Sequence, residues 1–134
     1  HMLATRLYQN TAKVHFDAHG QKASRFGKRL VYGGHVISMA RALSFNGLAN
    51  AGRIAAINAG AHTSPAFAGD TVYAWSEVMA LAPTAAAGVG AIRLRLIACK
   101  DAPARDYPLK GPDGRYLPHV LLDLDYWALM PRRA

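Results

Sequence analysis

Cysteine occurs once in these 134 residues, at Cys99, which excludes an internal disulfide and any cysteine-cluster zinc site. Stability therefore has to come from buried apolar surface. A chain of this length with 51% hydrophobic residues can supply that surface. Long apolar runs are also lacking. The uncharged stretch over residues 78–92 is interrupted by Pro83, Gly88 and Gly90 and falls short of the about 20 apolar residues that span a bilayer. No membrane association is expected. No signal-peptide pattern opens the chain, so a reducing cytoplasm is the expected location. Phosphate-cradling Gly-x-x-x-x-Gly-Lys, dinucleotide-binding Gly-x-Gly-x-x-Gly, Gly-x-Ser-x-Gly and His-Glu-x-x-His are all missing. Nucleotide hydrolysis, dinucleotide redox chemistry and zinc proteolysis lose their usual signatures with them.

Acidic residues are scarce and unevenly placed. Eight Asp and Glu face sixteen Lys and Arg, for a net charge of +8, and Asp17 is the only acid before Gly69. The same stretch carries Arg6, Lys13, Lys22, Arg25, Lys28, Arg29, Arg41 and Arg53. Such asymmetry fits an anionic ligand, or simply a solvated basic face. No basic stripe interleaved with aromatics and no helix-turn-helix pattern is present, so phosphate groups on a small molecule are preferred over nucleic acid.

The chain opens inside a helical pattern in which Leu3, Leu7, Tyr8 and Thr11 fall near one face. His1 and Met2 are either native or a cloning remnant. A polar stretch over residues 13–28 follows, broken at Gly20 and Gly27. Residues 35–45 predict a helix with Asn46-Gly47 as its stop. Val36, Ile37, Met39, Ala40, Leu43 and Phe45 cover most of its circumference, which predicts a buried helix. Arg41, its one permanently charged residue, has to reach a rim or a carboxylate.

Residues 53–61, 71–81, 89–100 and 120–130 predict strands, and residues 108–118 a turn-forming loop. Strand 89–100 alternates Ile92, Leu94, Leu96 and Ala98 against Arg93 and Arg95, and strand 120–130 sets Leu122, Leu124 and Tyr126 against Asp123 and Asp125. Neighbouring antiparallel strands with those faces matched would form a charge ladder. An apolar helix followed by four strands fits an α+β hot-dog fold, in which an antiparallel β-sheet wraps around a central buried α-helix. The alternative is an α+β sandwich with the helix flat on one face.

Three features carry chemistry. His15 lies five residues after Asn10, where the first helix gives way; a histidine beside an amide suits acid–base work, because its ordinary pKa lies near neutrality. His15 and His19 around Asp17 allow a metal reading, but no third ligand at a known spacing supports it. Tyr32-Gly33-Gly34-His35 opens the predicted helix; glycines admit close approach, and helix-start amides can hold an oxyanion. Gly69-Asp70-Thr71, after Pro65, is by itself a turn leading into a strand.

These features resemble, in order, the motifs of the MaoC-like enoyl-CoA hydratases and dehydratases. The hydratase motif Asp-x-Asn-Pro-(aliphatic)-His-x-Asp corresponds to Asn10-Thr11-Ala12-Lys13-Val14-His15-Phe16-Asp17, followed by Gly33-Gly34-His35, Pro65 and Gly69-Asp70-Thr71. The similarity is strongest to the mesaconyl-CoA hydratase branch. It runs through residues 4–16, 25–29, 31–35, 44–50, 68–77 and 129–133. Asn10 stands where the wider family has an acid, and an amide cannot accept a proton; the resemblance makes this a trait of the branch.

The resemblance implies a single hot-dog domain over residues 1–134, the second half of a double hot-dog chain, without its opening strand. It implies reversible hydration of a branched enoyl-CoA thioester, with His15 as acid–base, Asn10 as a positioning amide and the Gly33, Gly34 and His35 amides at the thioester oxygen. Arg25, Lys28 and Arg29 are then candidates for the substrate's carboxylate, and Asp17 is a possible second carboxyl. No metal or redox cofactor is expected. The partners expected are the acyl-CoA and a homodimer mate or a second hot-dog unit. A non-catalytic acyl-CoA-binding or scaffolding unit is the alternative.

Overall fold

Alternation decides the sheet. In the computed structural model, which describes residues 1–102 and 109–132, the strands are β1 (Arg53–His62), β2 (Val72–Pro83), β3 (Val89–Lys100) and β4 (Val120–Pro131). They form one antiparallel sheet in the order β1-β4-β3-β2. Before it come α1 (Met2–Leu7), a 3-10 turn (Lys13–His15), α2 (Ala18–Gln21), α3 (Gly33–Leu43) and α4 (Phe45–Leu48). The first residue of the expected 108–118 loop and residue 133 of the last family-like run lie outside the described residues. No helix among the described residues is long and apolar enough to cross a membrane.

The even-numbered residues Ile92, Leu94, Leu96 and Ala98 of β3 meet Leu122, Leu124, Tyr126 and Ala128 of β4 in one core, closed by Val36 and Ala40 of α3. The opposite face carries the expected ladder. Arg95 stands opposite Asp125 in the β3–β4 register, and each guanidinium reaches diagonally: Arg93 binds Asp125 and Arg95 binds Asp123, both bidentate. Asn58 of β1 donates to Asp125 at 2.9 Å, and the Tyr116 hydroxyl donates to Asp123 at 2.9 Å. Beside the ladder a smaller cluster of Ile97, Cys99 and Val120 packs under Leu109, Tyr116 and Leu117.

Hydrogen bonds from Arg93, then Asn58, hold the Asp125 carboxyl down at about 2. A carboxyl lowered by folding stabilises above its ordinary value and loses that contribution as pH falls through the folded value. Asp125→Asn is therefore expected to lower the urea midpoint by a small amount at neutral pH, the ladder being partly exposed. The gap should close between about pH 4 and pH 2. A gap that widens in acid contradicts this role.

Along α1, Leu3 and Leu7 are 73% and 77% exposed, and the buried residue is Thr5, whose hydroxyl donates to the His1 carbonyl within the turn. One expectation needs correction. The α3 helix is covered on one side only. Val36 and Ala40 are buried, whereas Leu43 and, just beyond it, Phe45 are exposed, because the four strands of this chain face one side of the helix. Arg41 ends at a rim, donating to the carbonyls of Ala51 and Gly52 and lying over the Tyr126 ring.

Candidate functional site

Asn10 is placed by the way α1 stops. The Asn10 amide returns to the Thr5 carbonyl and the Gln9 amide to the Arg6 carbonyl, a Schellman-type end. This end puts Gln9 in the left-handed region at φ 57°, where glycine is the usual residue. The Asn10 Oδ1 then accepts the Ala12 amide at 2.8 Å, which turns the chain toward His15 and leaves Nδ2 as the free donor. Arg6, Gln9, Thr11, Lys13 and Phe16 line a groove with Asn10.

His15 is only 9% exposed at the end of the 3-10 turn. Its Nδ1 lies 3.0 Å from the Leu30 carbonyl. A carbonyl only accepts, so Nδ1 carries a proton, and in the tautomer this selects the lone pair is on Nε2. That is the form a general base requires. The ring stands edge-on to Tyr32 with centroids 5.5 Å apart, and Tyr32 in turn packs on Tyr8 at 5.8 Å. His15 and Asn10 make no hydrogen bond to each other; each is tied to its own backbone partner.

Tyr32 is also the residue before α3. A Cβ added to Gly34 would stand 2.5 Å from the Tyr32 ring, so only glycine lets the tyrosine fold over the helix start. The His35 amide is consumed by the Tyr32 carbonyl at 3.0 Å, and Val36 shares that acceptor. This removes His35 from the expected set of three donors. The Gly33 and Gly34 amides have no acceptor among the described residues and remain available, as helix-start amides are. Ser38 bonds the Gly34 carbonyl and the Tyr8 hydroxyl, tying α1 to α3.

The other candidates go elsewhere. Asp17 caps α2 by accepting the Gly20 amide at 2.7 Å. Arg29 reaches the Met2 sulfur and the Phe16 carbonyl, bracing α1 against the 3-10 turn. Arg25 lies over the Phe26 ring and Lys28 over the Phe67 ring, and these two rings meet edge to face. None of these three cations makes a hydrogen bond to His15 among the described residues, and Arg29 comes nearest, at the carbonyl of the next residue, Phe16. Asp70 accepts the Phe67 amide and pairs with Lys100, which makes Gly69-Asp70-Thr71 a fixed turn. Among the described residues no group of three or more His, Cys, Asp or Glu converges on a metal position.

Sequence reasoning missed His62. Its ring rests on Gly33, with Nε2 2.7 Å from where a Cβ would stand, and burial lowers its pKa. A lone histidine at the end of a run of small residues carried no signal; the β1–β4 pairing brings it to the helix start.

No family model matches the chain. It is 60% identical over 134 residues to a β-methylmalyl-CoA dehydratase of Chloroflexus aurantiacus and 66% identical over 132 residues to a mesaconyl-CoA hydratase of Cereibacter sphaeroides. It covers 38% and 37% of those two proteins, so it spans well under half the length of the relatives it matches. Among solved structures it overlays a MaoC domain protein dehydratase from Chloroflexus aurantiacus with a TM-score of 0.93 at 59% identity, covering all of this chain and 38% of that one. A conserved hypothetical protein of Mycobacterium tuberculosis, described as having a double hot-dog fold, matches over 96% of this chain and 34% of its own, with a TM-score of 0.65 at 29% identity. A monoamine oxidase regulatory protein from Archaeoglobus shares the fold, with a TM-score of 0.74 at 20% identity over 98% of this chain and 80% of its own. The chain thus has the α+β hot-dog fold and is, over nearly its whole length, a homologue of one portion of the β-methylmalyl-CoA dehydratase and mesaconyl-CoA hydratase enzymes.

Proposed function

We propose that this chain carries an acid–base site for reversible addition of water to a branched enoyl-CoA thioester, converting mesaconyl-CoA to β-methylmalyl-CoA. The observation that carries the reading is His15: buried, with Nδ1 locked on a carbonyl and Nε2 left as the base. It packs through Tyr32 against a helix start with two unengaged amides. The relatives' names supply the substrate.

In the forward direction His15 Nε2 takes a proton from water while the water oxygen bonds to the β-carbon. The electron pair of the double bond moves onto the thioester oxygen as an enolate. The Gly33 and Gly34 amides stabilise that charge, each well-placed donor contributing roughly 3 kcal/mol. The His15 imidazolium then returns the proton to the α-carbon. One imidazole does both transfers because Asn10, whose Nδ2 is a donor, can orient water but not accept its proton. The reaction calls for no metal or redox group. Incubation with mesaconyl-CoA in heavy-oxygen water should place the label on the β-hydroxyl of the product thioester. An unlabelled, unreacted thioester would favour a unit that only binds acyl-CoA.

We read the chain as one of two hot-dog units, acting as a homodimer or beside a second unit in a reducing cytoplasm. Among the described residues the outer edges of β1 and β2 have no partner strand, and Leu43, Phe45, Val78 and Leu81 are exposed apolar side chains, Leu81 at 73%. Unpaired edges and apolar patches of this kind are normally covered. Light scattering should show a dimer, or a complex with the companion unit, at micromolar concentration. A monodisperse monomer that binds no companion contradicts this arrangement.

A further inference from the structure

Strand β1 ends at His62, paired opposite Leu122 of β4. The next residue is doubly anchored: the Thr63 amide donates to the Leu121 carbonyl at 3.0 Å and its hydroxyl to the Val120 carbonyl. This fixes the imidazole over the first residue of α3. A Cβ on Gly33 would meet Nε2 at 2.7 Å, Cε1 at 2.9 Å and Cδ2 at 3.2 Å, so the ring covers that glycine. Neither ring nitrogen has a hydrogen-bond partner among the described residues.

We propose that His62 is a substrate-contacting residue of this site, donating a hydrogen bond from Nε2 to the thioester oxygen held at the Gly33 and Gly34 amides. The assignment rests on the hydration reading above. His62 keeps an exposed edge, partial desolvation at the helix start lowers its pKa, and the neutral ring has one N–H to give. Neutrality matters, because a fixed cation at the helix start would oppose the imidazolium that His15 becomes. A neutral donor stabilises the enolate without that conflict. His62 and Tyr32 then form the two walls of the oxyanion position, one over Gly33 and the other over Gly34.

Two variants separate donation from wall-building, assayed in whichever assembly hydrates mesaconyl-CoA. His62→Leu keeps the bulk and removes the donor; His62→Gln keeps a donor. His62→Leu is expected to lower kcat by about 10² with KM little changed, the effect of removing one oxyanion donor, and His62→Gln to recover most of it. Equal activity of His62→Leu and wild type overturns the proposal. A nitrogen-15 NMR titration with methylsuccinyl-CoA, the saturated counterpart of the substrate, distinguishes this proposal from the reading beneath it. The expected result is that the Gly33 and Gly34 amides and the His62 ring nitrogens shift together. Amide shifts with an unmoved His62 remove His62 and leave the hydration site standing. No shift in either group contradicts the hydration site itself.

Discussion

His15→Ala lowers hydration turnover by about 10² or more while the fold persists, because a positioned acid–base group is worth about 10²–10⁴-fold. Asn10 cannot substitute for the lost base, since an amide accepts no proton. The fold should survive because His15 makes one side-chain hydrogen bond, to Leu30, and its ring packs at the edge of Tyr32. Asn10→Ala should cost less than His15→Ala. Asn10→Asp should be tolerated: its first oxygen can keep the Ala12 amide, and its second faces where Nδ2 now points. The check is steady-state turnover of the three variants, with circular dichroism to show an unchanged fold. Near-normal turnover of His15→Ala removes His15 from the chemistry.

Leu94→Ala is expected to cost about 2–5 kcal/mol of stability, the range for truncating a buried leucine. Leu94 has no exposed surface; it lies between Val78 and Tyr126 in the sheet registers and belongs to the core that Val36 and Ala40 close. Several residues of that core are small, Ala40, Ala98 and Ala128 among them, which limits how far it can repack into the space left behind. Urea denaturation measures the loss. A change under about 0.5 kcal/mol, the scale of an ordinary surface substitution, would mean the helix–sheet contact is not the core it is taken to be.

The strands were legible because they alternate. Arg93, Arg95, Asp123 and Asp125 mark one face of two strands, and the register puts them where that pattern requires. The α3 helix was legible as apolar all round, but composition says only what a surface favours, not which chain covers it. These four strands bury Val36 and Ala40 and leave Leu43 exposed. The Leu3 and Leu7 face of α1 stays exposed in the same way, as periodicity names a face and not its neighbour. His15, Asn10 and Gly34 were candidates from residue type and position, and the motif resemblance gave them their roles. The Asn10 geometry was hidden, because Gln9 ends α1 in a conformation that ordinarily announces itself with glycine. His62 reaches Gly33 only through a long-range strand pairing with irregular register, which no local pattern encodes.

The central claim is that His15 and the α3 amides hydrate an enoyl thioester reversibly. Ultraviolet absorbance of the conjugated thioester follows it directly, with mesaconyl-CoA offered to this chain alone, as a dimer, and beside a companion hot-dog unit. The account predicts that absorbance falls to a plateau with the competent assembly, that the same plateau is reached from β-methylmalyl-CoA, and that His15→Ala slows both approaches equally. Absorbance that stays constant from both directions in every assembly, with bound thioester demonstrated, would contradict it.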